Sequence, residues 1–372
     1  MDSRSRRVLL LIKGLGLGGA ERHLVDLAKH LIGDGLHVKV AYLLPNKDAL
    51  VEELNASGVH VQCLEYAGAL GRVAAFVRLL RLCRSYRPDV LHAHLPVPGT
   101  FARLLKPVFG FRLVYTEHNV YQRLNLASRL LSRLLNWLDD ARISCSSAVQ
   151  ESLPWRSQVI ENGIAVPEAS YSDAHRASTR SRMGVPEGAI VILCVANLVK
   201  KKNHALLIRA FADVFRGLGE EAKTPLLWLV GQDGTERNVL GSLAVQLGVD
   251  RNVLFAGPQL DPRPFMAAAD VYVMSSDFEG LPIALLEAMS FGLPAVVTNA
   301  GGMGRVVNDA GCGVVVNVGD QRGLAEGLHS LASDASKRSD MGRRARSVLK
   351  NRYSLRRCVE QIRLVYFPKG NP

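Results

Sequence analysis

Aromatic residues make up only 6% of this 372-residue chain, and no nucleic-acid recognition module is visible in it. The excess of 46 Lys and Arg over 34 Asp and Glu therefore does not by itself read as nucleic-acid binding. The six cysteines (Cys63, Cys83, Cys145, Cys194, Cys312 and Cys358) are scattered, with no CxxC pair. That argues against a zinc site or a disulfide framework and fits a reducing compartment. No stretch approaches the ~20 apolar residues that a spanning helix needs. The first apolar run, Val8–Ile12, is too short for a signal-peptide core and is broken by Lys13 and Gly14. It reads as a buried strand, and the chain as cytoplasmic. Asp-x-Asp, His-x-x-x-His and acidic clusters are missing as well, so no metal ion is expected to take part.

What is present is a globular composition, 48% hydrophobic and 22% charged, on a chain long enough for two domains. The net charge of +12 favours an anionic partner, with a nucleotide diphosphate and anionic lipid headgroups as candidates. Strand-like runs alternate with helical patterns, which reads as a parallel α/β architecture. Strands are predicted at Val8–Ile12, Val38–Leu44, Val90–His92, Leu113–Thr116 and Ile143–Ser146, separated by helices near Glu21–Leu31, Arg72–Ser85 and Ser128–Leu138. The run Val159–Ile164 closes this half, so a first Rossmann-like domain is placed at 1–165. A polar stretch at 166–188, rich in Ser and Arg, reads as the linker. The domain at 189–354 carries strands predicted at Ile190–Val195, Leu226–Val230, Val253–Phe255, Val271–Met274, Ala295–Thr298 and Val314–Val316. Two Rossmann-like halves suggest a ligand cleft between them, at the C-terminal strand edges.

The loop Gly14-Leu15-Gly16-Leu17-Gly18-Gly19 satisfies G-x-G-x-x-G between a strand and a helix. A dinucleotide site would also want an acidic residue ending the second strand, which here runs Tyr42-Leu43-Leu44-Pro45-Asn46. Gly18 and Gly19 then read as the cap of a helix whose N-terminus admits a phosphate or a sugar. In the second half, Lys202 closes the run Ala196-Asn197-Leu198-Val199-Lys200-Lys201-Lys202, where a lysine at a strand-to-helix turn suits a leaving diphosphate. His118, in Thr116-Glu117-His118-Asn119, follows a first-half strand, where an imidazole can bind a sugar hydroxyl.

The most informative segment is Phe278-Glu279-Gly280-Leu281-Pro282-Ile283-Ala284-Leu285-Leu286-Glu287-Ala288-Met289, with Gly292-Leu293-Pro294 beyond it. Gly280 bends freely, and Pro282 is expected in the first turn of a helix. Glu279 would then stand before a helix N-terminus that attracts phosphate, with Glu287 about one and a half turns inside.

In this order these strings resemble the nucleotide-sugar site of the retaining family 4 glycosyltransferases, and Gly-Gly-Ala-Glu-Arg at residues 18–22 resembles that family's first motif. The resemblance spans nearly the whole chain. It implies a GT-B fold, two Rossmann-like domains facing a central cleft, with a final helix near 355–366 packing back on the first. It also implies a metal-independent hexosyltransferase using a nucleotide-diphosphate sugar as co-substrate and a glycan or lipid-linked acceptor. On that pattern Glu279 binds the transferred sugar, Glu287 the ribose and Lys202 the diphosphate. Gly18, Gly19, Asn197, Gly280 and Leu281 complete the donor side, Gly231 lies where the base is held through backbone atoms, and His118 assists from the first domain. Two positions depart: Asn197 stands where many members carry a phosphate-binding arginine, and Arg305 where a glutamate is usual. A nucleotide-sugar epimerase and a non-catalytic nucleotide-sugar-binding partner subunit are the alternative functions.

Two basic helical stretches remain. In 72–87, Arg78, Arg81 and Arg84 recur every third residue; in 123–142, Arg129 and Arg133 alternate with Leu130, Leu131, Leu134 and Trp137. Each fits either a helix lying on an anionic membrane or a basic outer face over a buried apolar one.

Overall fold

The structure is a computed structural model that describes residues 6–165, 173–217 and 225–368. They form two compact units, residues 6–165 with 355–368, and residues 173–217 with 225–354.

The first unit holds seven parallel strands: β1 (Arg7–Ile12), β2 (His37–Tyr42), β3 (His60–Cys63), β4 (Val90–His94), β5 (Arg112–Glu117), β6 (Ala141–Ser144) and β7 (Gln158–Val159). Their order is β3-β2-β1-β4-β5-β6-β7. The second holds six: β8 (Ile190–Val195), β9 (Pro225–Val230), β10 (Val253–Gly257), β11 (Val271–Met274), β12 (Ala295–Thr298) and β13 (Gly313–Val316), in the order β10-β9-β8-β11-β12-β13. In each sheet the strand order reverses near the centre, between β1 and β4 and between β8 and β11. These are the switch points where open parallel sheets bind ligands at their carboxyl ends.

The unbroken apolar run of β1 follows from burial on both faces. Val8, Leu10 and Ile12 enter one core with Leu24, Leu27 and Leu31 of the Gly19–Gly33 helix. Leu9 and Leu11 enter the opposite core with Leu79 and Leu82 of the Gly68–Tyr86 helix. The final helix, Leu355–Tyr366, supplies Leu355, Val359, Ile362 and Tyr366 to the β1 core. In the second unit, Ile190, Ile192 and Cys194 of β8 pack with Leu207 and Phe211 of the His204–Gly217 helix.

One buried ion pair braces the first unit. Arg103 Nε and Nη2 donate to the two carboxylate oxygens of Asp139, both at 2.8 Å, with neither side chain exposed. The guanidinium also lies 4.3 Å from the centre of the Tyr115 ring. Asp139→Asn should cost about 3 kcal/mol, because a buried charge left without its partner is far worse than a lost surface pair. Chemical denaturation would measure it; a loss under about 1 kcal/mol would mean that Arg103 finds another partner or water.

Several expectations are corrected. β3 and β7, and the helices Val51–Ala56, Pro96–Leu105 and Ser147–Ser152, lie outside the predicted elements, being short or carrying no clear periodicity. Part of the expected linker is a helix, Asp173–Arg182, bound to the second unit. Arg176 pairs with Asp270 at 2.6 Å and Arg180 with its other oxygen at 3.1 Å, and both donate to carbonyls at residues 267–269. Residues 166–172 of that linker lie outside the described ones. Pro282 is not inside the first turn: its ψ of 125° keeps it extended, and the helix begins at Ile283.

The basic stripe on the Gly68–Tyr86 helix is also interrupted. Arg78 is bound to Glu65 at 2.6 Å and to the Leu64 carbonyl at 2.9 Å. The Leu126–Leu135 helix turns its apolar residues outward, with Leu126, Leu130, Leu131 and Leu134 exposed, Trp137 following at 74% exposure, and Ser132 as its buried residue.

Candidate active site

In the second unit the predicted residues gather at the carboxyl ends of β8 and β11. After β8 the chain makes a single turn, Lys200–Lys202, ended by Asn203 in the left-handed region at φ 48°. An asparagine tolerates that conformation better than most residues. The turn is tied down to the loop after β11. Asn203 Nδ2 donates to Asp277 Oδ1 at 2.8 Å, Asp277 N to the Lys201 carbonyl at 2.9 Å, and Ser275 Oγ approaches the Lys202 and Asn203 carbonyls at 3.1 and 3.0 Å.

From this clamp Lys202 Nζ reaches Glu279 Oε1 at 2.5 Å, with side chains only 15% and 10% exposed. Two residues to which the family pattern gives separate jobs thus form one shielded ion pair. Such a charge pair holds its geometry better than a surface pair, and either charge is costly to strand.

The glycines explain how the loops close. A Cβ on Gly231 would stand 2.2 Å from the Ala196 carbonyl oxygen, so the loops after β8 and β9 touch backbone to backbone. Asn197 sits in that contact, its Oδ1 accepting from Gln232 N at 3.0 Å. Gly301, at φ 58°, would place a Cβ 1.8 Å from the Glu279 carbonyl oxygen, and Gly302 N donates to the Gly280 carbonyl at 2.7 Å. The start of the Gly302–Ala310 helix is therefore laid against the backbone that presents Glu279. Leu281 is buried beside it, and Glu287 is half-buried as the fifth residue of the Ile283–Ser290 helix. Pattern reading missed Tyr272 of β11, a buried residue whose hydroxyl feels both Glu287 and Glu279. Burial first, then the charges of Cys194, Glu287 and Glu279, push its hydroxyl far above the ordinary tyrosine range, so it stays protonated.

In the first unit, Gly18 caps the Gly19–Gly33 helix in extended geometry, as expected. The helix partly answers its own dipole, because a Cβ on Gly18 would meet the Glu21 carboxylate at 2.3 Å. His118 lies just past β5 among three further histidines. Its Nε2 is 3.0 Å from His94 Nδ1, and its ring centre is 6.2 Å from that of His23. The His92 and His94 ring centres are 4.1 Å apart. Burial holds His118 at about 3 and His23 at about 4, and keeps His92 and His94 well below the usual value, so all four are neutral near pH 7.

The main chain of His118 is held by Glu117, also missed as a functional residue. This buried carboxylate accepts from Tyr115 Oη at 2.5 Å and from the backbone N–H groups of His118 and Asn119 at 3.0 and 2.9 Å. Among the described residues, no group of three or more His, Cys, Asp or Glu is arranged to hold a metal ion, and no helix is long and apolar enough to cross a membrane.

Comparison with known proteins gives these features a context. Residues 175–348 match the family described as glycosyl transferases group 1, and residues 17–166 match glycosyltransferase family 4. The lipopolysaccharide core biosynthesis glycosyltransferase LpsE of Rhizobium meliloti (strain 1021) is 29% identical over 342 residues, covering 91% of this chain and 92% of its own. The N-acetyl-alpha-D-glucosaminyl L-malate synthase of Bacillus anthracis is 26% identical over 355 residues, covering 91% and 88%. Among solved structures, Anabaena HepE in complex with UDP-glucose superposes with a TM-score of 0.85 at 22% identity, over 96% of this chain and 98% of that one.

Proposed function

The chain belongs to the group 1 glycosyltransferases of family 4, with the GT-B fold, and on that premise we propose a retaining, metal-independent hexosyltransferase. It moves a hexose or acetamido-hexose from a nucleotide-diphosphate sugar to a lipid-linked or polysaccharide acceptor. The similarity to LpsE, named for lipopolysaccharide core biosynthesis, supports that acceptor class. The carrying observation is the shielded Lys202–Glu279 pair at the β8–β11 switch point. An entering diphosphate competes for the Lys202 ammonium and frees Glu279 to align the hydroxyls of the sugar. Glu287 binds the ribose, Asn197 and the backbone at Gly18, Gly19, Gly231, Gly280 and Leu281 complete the donor contacts, and His118 acts from the first unit.

Thermal stabilisation by a panel of UDP-, GDP-, ADP- and dTDP-sugars tests the donor site, since a ligand of the native state raises its stability. One nucleotide class should stabilise, with or without EDTA; no stabilisation by any of them sinks the reading. Glu279→Ala should lower kcat by about a hundredfold with donor affinity little changed. Glu287→Ala should instead weaken donor binding by roughly 2 kcal/mol. Wild-type kinetics in both variants would show that the carboxylates are elsewhere in the mechanism.

We place the enzyme in the cytoplasm, on the membrane face. The outward apolar side chains of the Leu126–Leu135 helix, with the exposed Arg123 and Arg133 beside them, support contact with anionic lipid. The protein should sediment with phosphatidylglycerol vesicles and less with phosphatidylcholine ones, and Leu130→Glu with Leu134→Glu should abolish it. Equal sedimentation of the variant and the parent would remove this contact.

A further inference from the structure

We propose that His94 is a positioning residue for His118: it donates its Nδ1 proton to His118 Nε2, so that His118 carries its own proton on Nδ1. The half-buried imidazole then meets a donor sugar as a hydrogen-bond donor and not as a base. The last clause rests on the transferase reading given above; the proton placement does not.

The geometry begins with register. β4 pairs with β5 so that His94 lies opposite Thr116, two residues before His118. The two imidazoles come to lie with ring centres 5.4 Å apart and planes 20° from parallel, which leaves Nδ1 of one 3.0 Å from Nε2 of the other. Both rings are neutral, so one proton lies in that bond, and either ring is able to supply it.

The far nitrogen of His94 decides which. Its Nε2 is buried and has no hydrogen-bond partner. With the proton there, the ring would keep an unpaired N–H in the interior, a rare arrangement in folded proteins. With the proton on Nδ1, the donor is used and Nε2 is left as a bare acceptor. His92, against the other side of His94, takes no part, because its Nδ1 meets Tyr366 Oη at 2.6 Å and its Nε2 meets Thr116 Oγ1 at 2.7 Å. His23 approaches His118 only edge-on.

The backbone holds His94 firmly. Leu95, the next residue, has φ 74°, unusual for a side chain of its size, and its N–H donates to the Thr116 carbonyl at 3.2 Å. Glu117 fixes the main chain of His118 while His94 fixes its ring, so two different residues set the position and the proton.

The test is long-range 1H–15N correlation spectroscopy of the histidine rings in the full 15N-labelled chain at pH 7. The expected result is a bare Nε2 and a protonated Nδ1 on His118, with the same pattern on His94. A proton on His118 Nε2 overturns the proposal, whatever the enzyme is found to transfer. Kinetics add a second readout. His94→Asn, whose amide N–H falls near the position of Nδ1, should keep kcat within about threefold, whereas His94→Phe should lower it about tenfold, the effect of one lost hydrogen bond. Equal losses in the two variants, at equal thermal stability, would mean that His94 fills space and directs no proton.

Discussion

Acidification from pH 7 to pH 4.5 should unfold the first unit while the second keeps its protection. Two buried histidines of the first unit are neutral in the native state, His23 down to about pH 4 and His118 to about pH 3. In the unfolded chain they take up protons near pH 6.5. Between those limits the unfolded state binds protons that the native state refuses. Stability that is fully present above pH 6.5 is therefore lost as the pH falls. At pH 4.5, His23 and His118 alone amount to about 5 kcal/mol, of the order of the whole stability of many domains. His92 and His94 shift in the same direction and add to this. Burial raises Glu117 instead, so this carboxyl returns some stability as it protonates. The second unit has one such histidine, His204, held at about 4. Hydrogen exchange resolved by peptide across this pH range would separate the units. Earlier or simultaneous loss of protection in the second unit contradicts the expectation.

Gly301→Ala should be the most damaging single substitution near the proposed donor site. The added Cβ would lie 1.8 Å from the Glu279 carbonyl oxygen and 2.7 Å from its carbon, and both belong to backbone that has no rotamer to change. The left-handed φ of 58° adds strain of its own. Together these should cost about 4 kcal/mol or more, at the far end of single-residue effects. Relief requires the loop after β12 to leave Glu279, breaking the Gly302–Gly280 hydrogen bond and moving the carboxylate from Lys202. Melting should fall by roughly 10 °C and donor-induced stabilisation should vanish. Gly217→Ala is the control, since a Cβ there meets nothing within 4 Å. A Gly301→Ala protein that melts and turns over like its parent would refute the close approach.

The central strands were legible because burial on both faces makes them continuous apolar runs. β8, β11 and β12 have the predicted limits, and so does the final helix. β3 and β7 were not, since four and two residues at a sheet edge carry too little pattern. Motifs located Lys202 and Glu279 separately. Their pairing is a product of the sheet order, in which β11 lies beside β8 although 77 positions separate the two side chains. The outward face of the Leu126–Leu135 helix was open to either reading, because periodicity is the same whether a stripe faces core or solvent. The roles of Glu117 and Tyr272 come from what surrounds them, which a local string does not contain.

The return of residues 355–366 to the first unit sets an order on synthesis. A ribosome completes β1 to β7 and then makes the entire second unit before Leu355, Val359, Ile362 and Tyr366 exist. Throughout that interval the nascent first unit carries an uncovered apolar groove, and His92 lacks the hydroxyl that later meets its Nδ1. The second unit, continuous in the chain, is free to finish first. The opening half of the polypeptide is thus the last to be completed, and its vulnerability to chaperones and proteases lasts as long as translation of the residues in between.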